Sequence, residues 1–193
     1  TYSFIEAALL AGKYGSNEAA DALYRFFGKV YSLYDIPRGF SGSFYETDFD
    51  GFKFLGFEMV VGLVAALMKH DRWDIIGRLL SQDVFADTRN GNRYVHISEL
   101  SSYVESLNHF RNNRLKLNRL SVMADVIKER FTKSRLSSLI DHIRFMEADY
   151  FLFMRTVCRA QPSQVTGFLI DVWCPRSCVF LHSPPSYIVK DRK

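Results

Sequence analysis

The stretch from Gly51 to His70, GFKFLGFEMVVGLVAALMKH, constrains this chain more than any other. From Gly51 through Met68 only Lys53 and Glu58 carry charge. A membrane span needs about 20 apolar residues, and the run just reaches that length. Its composition argues against a span. Gly51, Gly56 and Gly62 dilute its apolarity, both charges sit in its first half, and no second run of this kind follows. Charges at that depth in hydrocarbon are costly. A helix that is apolar nearly all round belongs in a protein core. Gly56 and Gly62 each cost about 1 kcal/mol of helix propensity against Ala. A core helix that keeps them predicts close approach by a neighbour at both positions. Lys69, His70 and Arg72 place positive charge at its C-terminal end, where the helix dipole favours it.

The remaining segments read as elements packed around this helix. With 193 residues the chain suits one mainly α domain, whole or as a piece of a longer protein, with a core large enough to do without disulfides. The start at Thr1 fits a processed chain or such a piece. Aromatic content of 15% leaves little room for disorder. The three cysteines, an odd number, suit a reducing compartment, so a soluble cytoplasmic domain is the expectation. Ile5–Ala11 lacks the basic leader and cleavage pattern of a signal peptide. The net charge of +4 tolerates an acidic partner without demanding one.

Tyr2–Ala11 reads as a short helix, broken by Gly12 and Gly15. Ser16 caps a second helix whose Ala19, Leu23, Phe26, Phe27, Val30 and Tyr31 follow helical spacing and are expected to pack on the central helix. Ile36–Asp50 is a long loop, marked by Pro37, Gly39 and Gly42. Trp73–Ser81 is a short helix. A hairpin over about 83–97 follows from two short apolar runs flanking Asn90–Gly91. Ser98 is expected to cap a helix with Leu100, Tyr103, Val104, Leu107 and Phe110 on one stripe. A further helix carries Leu120, Met123, Ala124, Ile127 and Phe131. The last long helix is expected from Ser134 to about Arg159, with Leu136, Leu139, Ile140, Ile143, Met146, Tyr150, Phe153 and Met154 inward. Val165–Trp173 and Cys178–His182 have strand-like composition around Pro175.

Three constellations could carry chemistry. Glu46, Asp48 and Asp50 before Gly51 give E-x-D-x-D-G, the alternating carboxylates of a calcium loop. The match fails downstream, because Lys53 replaces an apolar residue and Glu58 falls one residue late, turned by about 100° on a helix. A magnesium or other metal site on Glu46, Asp48 and Asp50 is one reading. A solvated turn in which Asp50 caps the central helix is the plainer one. Cys174, Cys178 and His182, with Cys158, could furnish zinc ligands, although one arm is a single distant cysteine; buried free cysteines are the commoner outcome.

The third constellation is basic. Arg111, Arg114, Lys116 and Arg119 alternate with Asn112, Asn113 and Asn118. Arginine forks onto phosphate, and asparagine can donate to phosphate or read a base edge. Arg111, Asn112, Arg114, Lys116 and Arg119 therefore form a candidate nucleic-acid contact, against an ordinary solvated connection with buried leucines. Lys128, Arg130, Lys133 and Arg135 extend it, diluted by Asp125 and Glu129. Among His70, His96, His109, His142 and His182 no two stand at metal-binding spacing. Glu147 is placed to pair with Arg144, one turn back, and Asp149 to contact the neighbours of Phe145 or solvent. The sequence contains no G-x-S-x-G, no G-x-x-x-x-G-K-[ST] and no G-x-G-x-x-G.

No cofactor is implied. The leading expectation is a non-enzymatic interaction or regulatory module whose partner is a protein or another domain of the same chain, with no membrane involved. Nucleic-acid binding through 111–119 comes second, and a metal-dependent enzyme built on 46–50 third.

Overall fold

The computed structural model describes residues 1–159 and 175–177. Among them are eight α-helices and one two-stranded antiparallel hairpin, the mainly helical class that the sequence implied. The helices are α1 (Tyr2–Tyr14), α2 (Asn17–Tyr31), α3 (Asp50–Lys69), α4 (Trp73–Leu79), α5 (Asn112–Arg114), α6 (Val122–Lys133), α7 (Leu136–Leu139) and α8 (His142–Arg159). The strands β1 (Val84–Thr88) and β2 (Gly91–Val95) lie between α4 and α5.

Helix α3 is the axis, touching α1, α2, α4 and α8. By length and apolarity it would pass for a membrane span, yet 78% of its apolar window is buried within this fold. Val60, Leu63 and Leu67 are at most 2% exposed. Both internal glycines have the reason the sequence suggested. A Cβ at Gly56 would lie 2.0 Å from the Tyr34 hydroxyl, and one at Gly62 would lie 2.8 Å from Ile5. The Tyr34 hydroxyl sits there because it donates to the Lys53 and Leu100 carbonyls at 3.4 and 3.3 Å.

The two charges inside the apolar run of α3, Lys53 and Glu58, are buried with it. Glu58 accepts both arms of Arg130, at 2.7 and 2.9 Å, and the Thr1 hydroxyl at 2.6 Å. Lys53 pairs with Asp50 one turn back, at 3.2 Å. A carboxylate at this depth survives only if its lone pairs are taken up by donors.

Several boundaries differ from the sequence reading. Gly12 does not break α1; the helix runs to Tyr14 and stops at Gly15, whose φ of 66° is the left-handed helix cap. On α2 the buried residues are Ala20, Tyr24, Phe27, Gly28 and Val30, while Phe26 is exposed. Tyr24 goes inward because its hydroxyl finds the Gln82 carbonyl at 2.9 Å. The hairpin is present, but its loop residues are Arg89 and Asn90, and Gly91 opens β2. The positive φ, 116°, falls on Gly91, which needs no side chain there.

No long helix begins at Ser98. Ile97–Leu100 is a single 3-10 turn, capped by His96 Nδ1 on the Ser98 amide, and a π-helical turn over Ser106–Arg111 follows. Asp50 accepts the Ser106 amide at 2.7 Å, so a tertiary contact sets where that turn starts.

The last helix also starts later than expected. Ile140 is extended (φ −137°, ψ 132°), and Asp141 caps a new helix by accepting the Arg144 amide. The break rephases the buried stripe to Phe145, Ala148, Leu152 and Thr156, leaving Ile143, Tyr150 and Met154 exposed. Asp149 does not face solvent. It is fully buried and accepts the Arg176 and Ser177 amides and the Ser177 hydroxyl. The expected Arg144–Glu147 pair is present at 3.2 Å.

His142, at the start of α8, lies against Phe131 with its Nε2 buried and without a hydrogen bond among the described residues. Burial, then Lys128, holds its pKa below the ordinary 6.5, against the opposing pull of Asp141. The folded state thus prefers the neutral ring. The stability tied to that preference is intact above pH 6.5 and is lost as pH falls through the lowered folded value. Urea titrations at a series of pH values are expected to show this acid-side decline, and His142→Phe is expected to flatten it.

Candidate functional site

The basic segment is held by its own polar residues. Asn108 Oδ1 accepts the Met123 amide at 3.0 Å, tying the π turn to the start of α6. Helix α5 ends after Arg114 in a double turn, where the Leu117 amide reaches the Asn112 carbonyl and the Lys116 amide reaches that of Asn113. Lys116 (φ 49°) and Asn118 (φ 51°) take the left-handed conformation that usually falls to glycine. The Asn112 side chain then clamps Arg119 through both of its backbone groups, at 2.6 and 3.1 Å. Arg119 in turn forks onto Asp125 at 2.8 and 2.9 Å.

The five candidate residues therefore divide. Asn112 and Arg119 shape the loop. Arg111, Arg114 and Lys116 are exposed, and the latter two form no ion pair among the described residues. Leu115 and Leu117 are also exposed, by 50% and 39%, with Phe110 and Leu120 at 53% and 41%. The expectation of buried leucines fails because α5 stops after one turn and the left-handed residues carry the chain away from the core. Asn118 consequently does not share a helical face with Arg111 and Arg114.

The carboxylates of the acidic loop each have a different role. Asp48 accepts the Tyr45 amide at 3.0 Å, capping the 3-10 turn Glu46–Phe49. Asp50 is not the cap of α3, whose N-cap position is Phe49. It is the first residue of the helix, 2% exposed, and is taken up by Ser106 and Lys53. Glu46 is exposed and lies 3.6 Å from the Lys53 ammonium. Among the described residues no three His, Cys, Asp or Glu side chains gather as a metal site would require. Cys158 is exposed; Cys174, Cys178, His182 and the strand-like runs 165–173 and 178–182 lie outside the described residues.

Beside this loop opens a cleft of about 610 Å³ that the sequence did not suggest. Its walls come from the end of α2, the 44–49 segment, the first turn of α3 and the hairpin. They carry Tyr31, Tyr34, Phe44 and Phe49, together with Lys53, Arg93, Asn90, Asp35 and Glu46. Arg93 is held by Glu99 and by the Tyr31 hydroxyl, and its guanidinium lies 5.3 Å from the Tyr31 ring centre. Burial, aided by the hydrogen bond to Glu99, pushes the Tyr31 phenol up to about 12, so it stays protonated. The sequence signal available was Lys53 itself, a lone cation in an apolar run. No protein-family model matches this chain, and comparisons with curated proteins and with solved structures found no match.

Proposed function

We propose that this domain is a non-enzymatic interaction module and that its contact element is the loop from Phe110 to Leu120. The observation that carries the reading is a coincidence on one loop. Four large apolar side chains and three cations are exposed together, while the polar residues between them hold the loop's shape. Exposed apolar groups rimmed by charge mark surfaces that meet a partner. A loop already fixed in shape loses little freedom on docking. The partner is a protein, or another domain of the same chain, offering carboxylates around an apolar recess. Nucleic acid would satisfy Arg111, Arg114 and Lys116. It would leave three leucines without a match, since bases stack on aromatic and guanidinium planes.

The test places a photoreactive residue at Leu117 and maps its crosslinks. Crosslinks to an acidic protein segment are expected. Arg111→Glu with Arg114→Glu and Lys116→Glu should weaken them about tenfold or more, the scale of reversing close charge pairs. Short single-stranded and duplex oligonucleotides provide the other arm. Binding that falls steeply with salt and disappears in the triple variant would transfer the function to nucleic acid.

A further inference from the structure

We infer that the cleft beside α3 binds a small aromatic anion, a carboxylate or phosphate ester with a planar ring, and that Lys53 is its anchor. This inference is independent of the docking loop.

The Lys53 side chain is only 9% exposed and lines the cleft. Its ammonium has three protons to donate. Among the described residues the single hydrogen bond it makes is a long one, 3.5 Å to the Glu46 carbonyl. Asp50 is close enough to balance its charge, at 3.2 Å, but Asp50 Oδ1 has no hydrogen bond to it. Lys53 is thus poorly satisfied and Asp50 is satisfied only at Oδ2, by the Ser106 amide, and a buried charge without good hydrogen bonds is costly. An incoming anionic oxygen on the cleft side would give the ammonium the short contacts it lacks.

Glu46 holds the place that such a ligand would take. Its carboxylate approaches Lys53 from the solvent side at 3.6 Å, and its own side chain is 84% exposed. A carboxylate so loosely held is readily displaced into water. The same cleft is lined by Asn90, by Arg93, which already holds Glu99 and Tyr31 through one arm, and by the aromatic rings of Tyr31, Phe44 and Phe49. The Phe44 and Phe49 rings, which both line the cleft, pack edge to face, 6.1 Å apart. The volume is that of an ordinary small-molecule site. Asp35 and Glu46 line the same cleft, so charge alone does not select an anion and the ring must contribute to binding.

The experiment titrates the intact chain with phenyl phosphate, benzoate, inorganic phosphate, acetate and benzylamine, following amide shifts by NMR. Phenyl phosphate or benzoate is expected to shift the Tyr31, Phe49 and Lys53 amides, and which of the two binds more tightly identifies the headgroup. Ring-free anions should bind at least about tenfold more weakly. Glu46→Gln, an exposed change that spares the fold, should tighten binding by about threefold or more, because it removes the internal competitor. Arg93→Gln and Lys53→Met should each weaken it, Lys53→Met by about tenfold or more. Should Lys53→Met fail to fold, Glu46→Gln alone still decides the sign. Preference for benzylamine, weaker binding in Glu46→Gln, or no shift with any probe would overturn the proposal.

Discussion

Replacing Arg130 with Leu is expected to cost about 3 kcal/mol of folding stability. Glu58 sits in the middle of α3 at 1% exposure, and Arg130 is its main counter-charge. Removing one partner of a buried pair leaves the other charge without compensation, which typically costs about 3–5 kcal/mol. The low end applies here for two reasons. The Arg130 side chain is 43% exposed, and the Thr1 hydroxyl still donates to Glu58. Arg130 also lies over the Phe54 ring at 5.7 Å, a contact that Leu replaces only in part. Urea unfolding of the two proteins measures the difference. The double replacement Glu58→Leu with Arg130→Leu separates charge from packing. It should recover most of the loss, because a well-packed apolar pair can equal a buried ion pair. A single-variant loss below about 1 kcal/mol would mean that water reaches Glu58 in solution.

The second large effect belongs to Gly28. Here α2 crosses β1 so closely that a Cβ would fall 1.9 Å from the Phe85 carbonyl oxygen and 3.2 Å from Val84. A flexible side chain could give way, but a strand carbonyl cannot without moving the hairpin. Gly28→Ala is expected to destabilise by about 3 kcal/mol despite the helix propensity that Ala adds. The same change at Gly77 on α4 is the control, since nothing lies within 4 Å of its added methyl. Gly77→Ala should stabilise by about 0.5–1 kcal/mol. Thermal unfolding of both variants checks the contrast. Equal effects at the two sites would show that propensity, rather than the α2–β1 contact, governs Gly28.

Gly28 also marks a limit of reading from sequence. Gly56 and Gly62 stood out because they interrupt an apolar helix, and both meet a neighbour. Gly28 lies in a mixed-polarity helix where one glycine carries no message, and its partner is 57 residues away. The failed helices share a cause. The Leu100–Phe110 stripe had helical spacing, yet Asp50 claims the Ser106 amide and Tyr34 the Leu100 carbonyl. The Leu136–Met154 stripe ran unbroken in sequence, while Asp141 restarts the helix out of phase with it. Periodicity reports which residues could share a face. It does not report a capping carboxylate that breaks the phase.

The candidate sites divide the same way. The cations at 111, 114 and 116 were legible from residue type, whereas the exposure of Leu115 and Leu117 was not, because it depends on two non-glycine residues in the left-handed region. The cleft was invisible, since Tyr31, Phe44, Lys53 and Arg93 meet only after four segments have packed. By itself the sequence determined that α3 is the dry centre of a mainly helical domain with one small hairpin, since length, apolarity and turn chemistry are local properties. Tertiary structure alone decided which carboxylates are buried, where the helix near Ser106 breaks, and that a lone lysine borders a cleft. The buried carboxylates and the break near Ser106 turn on hydrogen-bond partners roughly 30–70 residues away, which no local pattern encodes. The break at Asp141 turns on a local cap, three residues from its partner, that apolar periodicity does not register.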